Sequence, residues 1–187
     1  FKNLWKLNMT SNEEIKKGMD SIVVDEYYRD EGLWYKWKQD FTYYPDGNLK
    51  KARFYESIEN SDQLIEYNRM EFAYNIKGKI TQIIWHFYDE DKGELLPWYK
   101  EEYTYADKSA TLIEYDWNVN SEKWEIEHKY VGTYNAAGDL TYNIGYDWNS
   151  FTEEWIKEDK CEYSYDIHKN LIKELNYKWD DINDYWM

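Results

Sequence analysis

Histidine, cysteine and acidic side chains are the residues whose types could support metal binding or acid–base chemistry. The chain contains three histidines, His86, His128 and His168, and one cysteine, Cys161. The first two histidines fall in predicted strands and the third in a predicted turn, so no pair has the helical spacing of a zinc motif. One cysteine permits neither an intrachain disulfide nor a cysteine-based metal site. We therefore predict no metal site and interpret the histidines as strand or surface imidazoles.

Acidic residues are numerous enough to suggest two further kinds of site. Residues 89–94 and 180–184 offer clustered oxygens of the kind that calcium prefers, but neither has the spacing of a twelve-residue calcium loop. Paired carboxylates could hydrolyse glycosides, yet among 38 acidic residues some pair lies at any chosen distance. No nucleophile elbow, P-loop or dinucleotide fingerprint is present. The sequence thus predicts solvated loop tips and a protein that is not an enzyme and needs no cofactor.

The eleven tryptophans are the residues with the clearest binding potential. An indole ring can stack on the apolar face of a sugar, although it fills a hydrophobic core equally well, and the core interpretation suits most of them. A few aromatic residues fall instead on the side of their strands that carries charges. These are our candidate binding residues: Trp34, Trp85, Trp98 and, near them, Tyr67.

Charge limits the classes of partner. The chain has 23 basic and 38 acidic residues, a net charge of −15, so phosphate backbones and anionic lipids repel it. No apolar stretch approaches the roughly 18 residues of a transmembrane helix. We therefore expect no nucleic-acid partner and no membrane insertion. The chain starts at Phe1 rather than at a methionine, which suggests a removed leader and favours secretion.

An interval of about 31 residues recurs along the chain. Its first marker is a tyrosine preceded, two places earlier, by an aromatic residue or once by glycine. These tyrosines are 31, 31, 29 and 31 residues apart: Tyr43, Tyr74, Tyr105, Tyr134 and Tyr165. A second marker, two tryptophans separated by six residues, occurs at Trp117 and Trp124, Trp148 and Trp155, and Trp179 and Trp186. Two interlocked patterns with one period indicate structural repeats.

Each repeat is predicted to be a β-hairpin. Residues 44–47, Tyr-Pro-Asp-Gly, suit a type I turn followed by a glycine in the left-handed region. Ser109 and Lys169 take that glycine's place in two other units, at a cost of roughly 1 kcal/mol each. Two residues are missing from the third interval, which predicts a bulge or a slipped register there. Counting outward from the turns gives three pairs: Tyr43 with Leu49, Tyr134 with Leu140, and Trp148 with Trp155.

Period-two alternation assigns the side chains of each strand to two faces. One face is predicted to be aromatic and to form the core, with Trp124, Ile126, His128, Tyr130, Gly132 and Tyr134, and with Leu140, Tyr142, Ile144, Tyr146 and Trp148. The opposite face carries Glu125, Glu127, Lys129, Val131 and Thr133, and Thr141, Asn143, Gly145 and Asp147. An aromatic face of this size must be covered, and the pattern leaves open whether the sheet is open, sandwiched or closed.

The first 32 residues fit the repeat poorly and are predicted to form an N-terminal cap and first strand. Residues 11–14, Ser-Asn-Glu-Glu, are typical of a capping box, and Gly18 would end a helix of one or two turns. Residues 33–187 form the hairpin array, in a single domain overall. The predicted fold class is all-β: an antiparallel up-and-down meander of about five hairpin repeats in one strongly twisted or rolled sheet, with a short N-terminal helical cap.

Residues 134–140 and 163–171 resemble the tandem Tyr/Trp-rich β-hairpin repeats of proteins secreted by Bacteroidetes, and more distantly the YD repeats of Rhs-type shells. The similarity covers roughly residues 33–187. It implies a bacterial protein that is secreted, displayed on the cell surface or periplasmic, in a family of unknown function. Ser109 and Lys169 depart from the turn glycine of that pattern, and no catalytic residues come with the resemblance.

Taken together, these patterns favour a non-catalytic interaction or scaffold module that binds a glycan or a surface protein through aromatic side chains. A purely structural spacer or assembly element is the alternative, and a carbohydrate-active enzyme is the third candidate. The sequence indicates neither the ligand nor the oligomeric state.

Overall fold

The computed structural model describes residues 21–28, 33–58 and 61–187, with the backbone alone for residues 24–28 and 33–35. Within these ranges there is no helix. Segments rich in aromatic and β-branched residues form strands, as expected, and short turns separate them. The strands are β1 (Ser21–Tyr28), β2 (Leu33–Tyr43), β3 (Leu49–Ser57), β4 (Leu64–Tyr74), β5 (Ile80–Asp89), β6 (Glu94–Tyr105), β7 (Ser109–Asn118), β8 (Lys123–Tyr134), β9 (Leu140–Asn149), β10 (Glu154–Tyr165), β11 (Leu171–Asp180) and β12 (Tyr185–Trp186).

The sheet has the predicted topology. Its strands follow one another from β1 to β12 in one open antiparallel sheet, which confirms the all-β up-and-down meander. There are more hairpins than the five predicted, because the loops at both ends of each two-strand unit are short enough to make one. The predicted helical cap lies in residues 1–20, outside the described residues. The chain divides into two compact units. The first unit comprises Phe1–Ala73 and Trp85–Pro97, and the second comprises Tyr74–Ile84 and Trp98–Met187.

Most of the turns at one end of the strands have the predicted glycine conformation. Gly47, Gly78 and Gly138 have φ values of 86°, 73° and 83°, and Lys169 takes the same conformation with φ 66°. Tyr43 pairs with Leu49 and Tyr134 with Leu140, as predicted, and the register shifts by one residue at both places. These turns therefore have the bulged geometry that the sequence indicates.

The β6–β7 turn differs from its prediction. Ser109 is not in the left-handed region but is the first residue of β7, and its carbonyl accepts a hydrogen bond of 2.8 Å from the Ala106 N–H. The β6–β7 ladder runs without a register shift up to Tyr105 and Ala110. The missing residues therefore shorten this turn and remove its bulge, and the register shift of this interval lies instead in the β7–β8 pair.

Four loops at the other end, β5–β6, β7–β8, β9–β10 and β11–β12, also contain a left-handed residue: Gly93, Glu122, Glu153 and Asp184. Each begins with an Asp or Asn whose side chain accepts hydrogen bonds from loop N–H groups; Asp180, for example, accepts from Ile182 and Asn183 at 3.0 Å. Asp89 acts in the same way toward the Lys92 N–H. The two acidic segments that offered calcium ligands thus use their leading carboxylates to hold the turns.

Three tryptophan pairs close these loops. Trp148 lies directly opposite Trp155, as predicted, with ring centroids 5.0 Å apart and planes at 64°. The other two pairs have nearly the same edge-to-face geometry, at 5.0 Å and 69° for Trp117 and Trp124 and at 4.9 Å and 68° for Trp179 and Trp186. Such edge-to-face pairs stabilise the ends of hairpins beyond the area that they bury.

Bulges inside the long strands overturn the predicted faces. Ile126 pairs with Tyr115 and His128 with Glu114, so Glu127 is an extra residue in β8. Strict alternation holds only where no residue is inserted, and beyond this bulge the side chains change sides. Trp124 and Ile126 therefore share a face with Lys129, not with His128 as predicted. Glu158 is the corresponding extra residue in β10.

Two faces of the second unit follow from this register. The carboxylate face carries Leu112, Glu114, His128, Tyr130, Asn143, Gly145, Asp147, Asp159 and Cys161, and the lysine face carries Ile113, Tyr115, Lys129, Val131, Ile144, Tyr146 and Lys160. The best-buried residues lie on the carboxylate face, including Leu112, Asn143 and Cys161 at 5%, 5% and 1% exposure. The prediction that Asn143 and Gly145 lie opposite the core is therefore wrong.

Candidate functional site

Trp98 is the predicted binding residue that the structure exposes. It lies within β6 in the second unit, and 56% of its surface is open to solvent. Its ring centroid is 6.1 Å from that of Tyr99, with the planes tilted by 47°. No other tryptophan in the described part of the chain is as exposed.

The other three predicted residues have environments of their own. Tyr67 and Trp85 are half-buried and belong to the first unit, and for Trp34 only the backbone, paired with Tyr27 in β1, is described. The Tyr67 ring lies 6.5 Å from Phe54, and burial together with the nearby Glu56 raises the pKa of its hydroxyl. Among the predicted residues with described side chains, Trp98 is therefore the most exposed.

Tyr67 has a backbone position that alternation could not reveal. Phe54 pairs with Asn68 and Tyr55 with Glu66, so Tyr67 is the extra residue of a β-bulge. Trp98, Glu127 and Glu158 follow it at intervals of 31, 29 and 31 residues, and the last two are the bulge residues of β8 and β10. An extra residue in one strand redirects a side chain at the sheet surface, which makes this position suitable for variable contacts.

The carboxylate face holds an acidic cluster that the sequence did not predict. Glu101 and Glu114 lie directly opposite each other, with 9% and 7% exposure. The Tyr103 hydroxyl donates a hydrogen bond to Glu101. Burial, followed by the neighbouring carboxylates, raises the pKa of Tyr99 and of Tyr103, so both phenols stay protonated donors. The Tyr103–Glu101 hydrogen bond and the low exposure of both carboxylates keep this pair away from solvent.

His128 lies in a second cluster on the same face. Its Nδ1 is 2.8 Å from Asp147 Oδ1, and ligand atoms of His128, Asp147 and Glu158 all lie within 4.8 Å of one another. Such a set can hold a divalent cation. The Lys178 ammonium, however, already lies 3.0 Å from Glu158 and 3.8 Å from Asp159. The cluster joins three strands, so it depends on register and was missed when the histidines were judged by sequence spacing.

The lysine face holds carboxylates in a recurring arrangement. Lys100 Nζ is 3.8 Å from the Tyr115 ring centroid and 2.8 Å from Glu102 Oε1, while the Tyr115 hydroxyl donates to Glu102 Oε2 at 2.8 Å. The hydrogen bond helps to raise the pKa of Tyr115 to about 12, after the larger effect of burial. We call this arrangement a carboxylate clamp: a lysine and a cross-strand tyrosine that together bind one carboxylate.

A second carboxylate clamp lies at the β10–β11 pair. Lys160 Nζ is 4.4 Å from the Tyr177 ring centroid and 2.7 Å from Glu162 Oε1, and the Tyr177 hydroxyl donates to Glu162 Oε2 at 3.3 Å. In the first unit Lys38 similarly bonds Asp40 at 2.7 Å and lies 5.2 Å from the Tyr55 ring centroid. The signal in the sequence is a cation followed two residues later by an acid.

No helix among the described residues has both the length and the apolar character needed to cross a membrane.

Comparison with known proteins gives a likeness of fold. No family model matches the chain, and no curated protein matches it. A protein of unknown function from Bacteroides fragilis NCTC 9343 is similar in structure, with a TM-score of 0.60 and 17% identity, over 76% of this chain and 100% of that one. A DUF3836 family protein from Bacteroides vulgatus ATCC 8482 is a more distant neighbour, with a TM-score of 0.39 and 16% identity over 57% and 90% of the two chains. The chain therefore shares its fold with a Bacteroides protein whose function is not known.

Proposed function

We propose that the chain is a non-catalytic interaction module of a secreted or cell-surface bacterial protein, and that it binds a glycan through exposed aromatic side chains. The observation that carries the proposal is Trp98, which keeps 56% of its surface in solvent although it lies within a sheet strand. An open indole offers a broad apolar face at little entropic cost, and sugar rings present apolar faces that stack on it.

The carboxyl groups support a binding role rather than a catalytic one. Glycoside hydrolysis needs two carboxylates that face a shared substrate space. Glu101 and Glu114, the buried pair on the carboxylate face, are almost fully excluded from solvent, and the Tyr103 hydroxyl donates to Glu101. A sugar ring cannot reach them without opening the sheet.

The location of the protein is part of the proposal. The Tyr/Trp-rich hairpin pattern resembles secreted Bacteroidetes proteins, and the fold is shared with a Bacteroides protein. The hairpin pattern supports a role outside the cytoplasm, and the shared fold agrees with an origin in the same group of bacteria.

A glycan array tests the aromatic site. Wild type and Trp98→Ala are screened on the same array, with Phe151→Ala as the matched control because Phe151 is a 98% exposed aromatic residue in the β9–β10 loop. Loss of one stacked indole should weaken binding roughly 5- to 10-fold or more, while the control binds as wild type. Equal binding by Trp98→Ala and wild type would rule out the Trp98 platform. A Trp34→Ala/Trp85→Ala variant then shows whether the other predicted tryptophans contribute.

The second candidate function is an assembly element. Strand β11 exposes Leu171, Ile172 and Leu175 to 50%, 64% and 36%, and exposed apolar side chains on a strand favour association with another sheet. Light scattering across a concentration series discriminates the two candidates. Association that disappears in an Ile172→Lys variant, together with an array that detects no glycan, would favour the assembly element.

A further inference from the structure

Between the two carboxylate clamps of the second unit lies a third set of residues in the same register. Lys129 occupies the repeat position that Lys100 and Lys160 occupy in the neighbouring units, and Tyr146 occupies the position of Tyr115 and Tyr177. Lys129 pairs directly with Tyr146 across β8 and β9, as Lys100 does with Tyr115 and Lys160 with Tyr177 across their strands. In this set, however, Val131 stands where the other two have Glu102 and Glu162.

The Lys129 ammonium keeps the aromatic part of the clamp. It lies 4.2 Å from the Tyr146 ring centroid and 4.5 Å from that of Trp155. Lys100 and Lys160 each have a carboxylate oxygen within 2.8 Å, whereas Lys129 has none within ion-pair distance in the described part of the chain. Burial alone lowers the pKa of Lys129, in agreement with an ammonium that has no acidic neighbour.

The Tyr146 hydroxyl is the second donor of this set. In the two filled clamps the tyrosine hydroxyl donates to the second oxygen of the glutamate. Tyr146 makes no such bond with the described residues, and its pKa is raised by burial and by Tyr142 rather than by a carboxylate. The lysine and the phenol are therefore both ready to bind an anion that the chain itself does not supply.

The place of the missing glutamate has apolar walls. Val131 lies between Thr111 on β7 and Ile144 on β9. Two residues beyond Ile144 on the same face is Tyr142, a ring with 38% exposure. A carboxylate that enters here meets two polar donors at one end, while Ile144 and the Tyr142 ring offer apolar surface on which the C–H face of a sugar ring can rest.

We infer that Lys129, Tyr146 and Val131 form a binding site for an organic carboxylate, carried by a singly charged acidic sugar such as a terminal uronic acid. The two filled clamps supply the geometry: one carboxylate oxygen accepts from the lysine and the other from the tyrosine hydroxyl. The net charge of −15 disfavours ligands with many negative charges, which leaves a single carboxylate as the better match. The assignment of a carboxylate as the charged group follows from this geometry alone, whereas the choice of a sugar rests on the proposed function.

A matched pair of sugars tests the site on the full chain. Methyl β-glucuronide and methyl β-glucoside differ at one carbon, which bears a carboxylate in the first and a hydroxymethyl group in the second. Each is titrated into the protein while the NMR resonances of Lys129 and Tyr146 are followed. We expect saturable shifts with the glucuronide and affinity for the glucoside weaker by roughly tenfold or more, since a charge-assisted hydrogen bond is worth about 1.5–3 kcal/mol.

Exchanges between the clamps provide the decisive variants. Val131→Glu should fill the site with an internal carboxylate and abolish glucuronide binding, and Glu162→Val should empty the Lys160 clamp and create a second site. Thr133→Glu is the control, because it adds the same charge to the same face two residues away. Val131→Glu should fold normally, since Glu102 and Glu162 already occupy the equivalent places.

Three results would overturn the inference. Glucuronide binding that survives in Val131→Glu or Lys129→Met would place the ligand elsewhere. Equal affinity for the two sugars would show that the carboxylate is not recognised. Affinity for N-acetylglycine, which has one carboxylate and no sugar ring, equal to that for the glucuronide would overturn the assignment to a sugar. Trp98 is not part of this clamp, so a failed glucuronide titration leaves the array result for Trp98→Ala to be judged separately.

Discussion

Lys169 has an unfavourable backbone conformation for a residue with a side chain. Its φ of 66° is in the region where the other turns of this kind have Gly47, Gly78 and Gly138. The exposed side chain donates a hydrogen bond of 3.0 Å to the Ala137 carbonyl, and its ammonium lies 3.5 Å from Asp139 Oδ1. A residue with a Cβ loses roughly 1 kcal/mol or more in this conformation.

We therefore expect Lys169→Gly to raise the free energy of unfolding by about 0.5–1 kcal/mol. Urea denaturation measures the change. Lys108→Gly is the control, because Lys108 lies in the β6–β7 turn and does not have a positive φ. A stability unchanged or lowered by Lys169→Gly would show that the side-chain contacts with Ala137 and Asp139 outweigh the backbone cost.

Gly145 is required by packing rather than by backbone conformation. A Cβ at this position would lie 2.5 Å from Asp159 Oδ1 and 3.4 Å from Tyr130 Cε1. Asp159 is only 9% exposed, so its carboxylate cannot swing freely away. We expect Gly145→Ala to lower the free energy of unfolding by about 1–3 kcal/mol. Thermal unfolding checks this, and a double variant with Asp159→Ala should lose clearly less than the sum of the two single changes.

Residue-level prediction succeeded where the chemistry is local. The left-handed conformation of Lys169 follows from its place in the turn and is confirmed. The same argument was wrong for Ser109, because a shorter turn removes the need for a left-handed residue. The cluster of His128, Asp147 and Glu158 could not be predicted, since these residues meet only through the register of three strands.

At the scale of the hairpin, the tryptophan pairs hold the two strands together next to the loops. Trp148 and Trp155 are in direct cross-strand contact with centroids 5.0 Å apart. A double-mutant cycle that replaces each by leucine should give a coupling of about 0.5–1.5 kcal/mol. Urea denaturation of the four proteins provides it. A cycle on Trp98 and Trp148 is the control and should give no coupling; equal values in both cycles would argue against a specific ring contact.

Bulges explain why the elements were easier to predict than their faces. Strand pairs such as Tyr43 with Leu49 depend on the turn alone and are confirmed. Face assignments assume that side chains alternate along the whole strand. One inserted residue therefore moves every later side chain to the face opposite the predicted one. Glu127 and Glu158 are such insertions, and no proline or glycine marks them in the sequence.

At the scale of the whole molecule, acidic residues make stability depend on pH in two opposite ways. Burial, then Glu158, raises the pKa of the Asp159 carboxyl above its ordinary 3.8. A raised pKa means that the folded state favours the protonated form. The stability that this provides is complete below pH 3.8 and is lost as the pH rises through the folded-state pKa. Asp159→Asn should therefore gain stability relative to wild type as the pH rises from about 4 to about 7, measured by urea denaturation.

Glu102 should show the opposite dependence. Burial opposes its ionisation, but hydrogen bonds from Lys100 and Tyr115 outweigh it and hold the pKa of Glu102 below 4.5. Its contribution is present above pH 4.5 and is lost as the pH falls through the folded-state pKa. Glu102→Gln should therefore lose most relative to wild type near neutral pH and least in acid. Parallel pH profiles for the Asp159 and Glu102 variants would contradict both assignments.

The overall topology is the part of the fold that the sequence predicts best. Short turns between strands of similar length leave neighbours in the chain as neighbours in the sheet, which is why the meander is confirmed from β1 to β12. The exposure of Trp98 was also anticipated, whereas the partial burial of Tyr67 and Trp85 was not. Burial depends on the register of the neighbouring strands, and a repeat interval alone contains no information about that register.

The three edge-to-face indole pairs also have an optical consequence. Rings held 5.0, 5.0 and 4.9 Å apart at nearly equal angles couple their electronic transitions, so folded hairpin ends should produce an exciton couplet in the far-ultraviolet circular dichroism. Because each pair lies one residue from the loop ends of its two strands, the couplet fades as the strand ends separate. The protein thus contains its own spectroscopic reporter of fraying, readable without any added label.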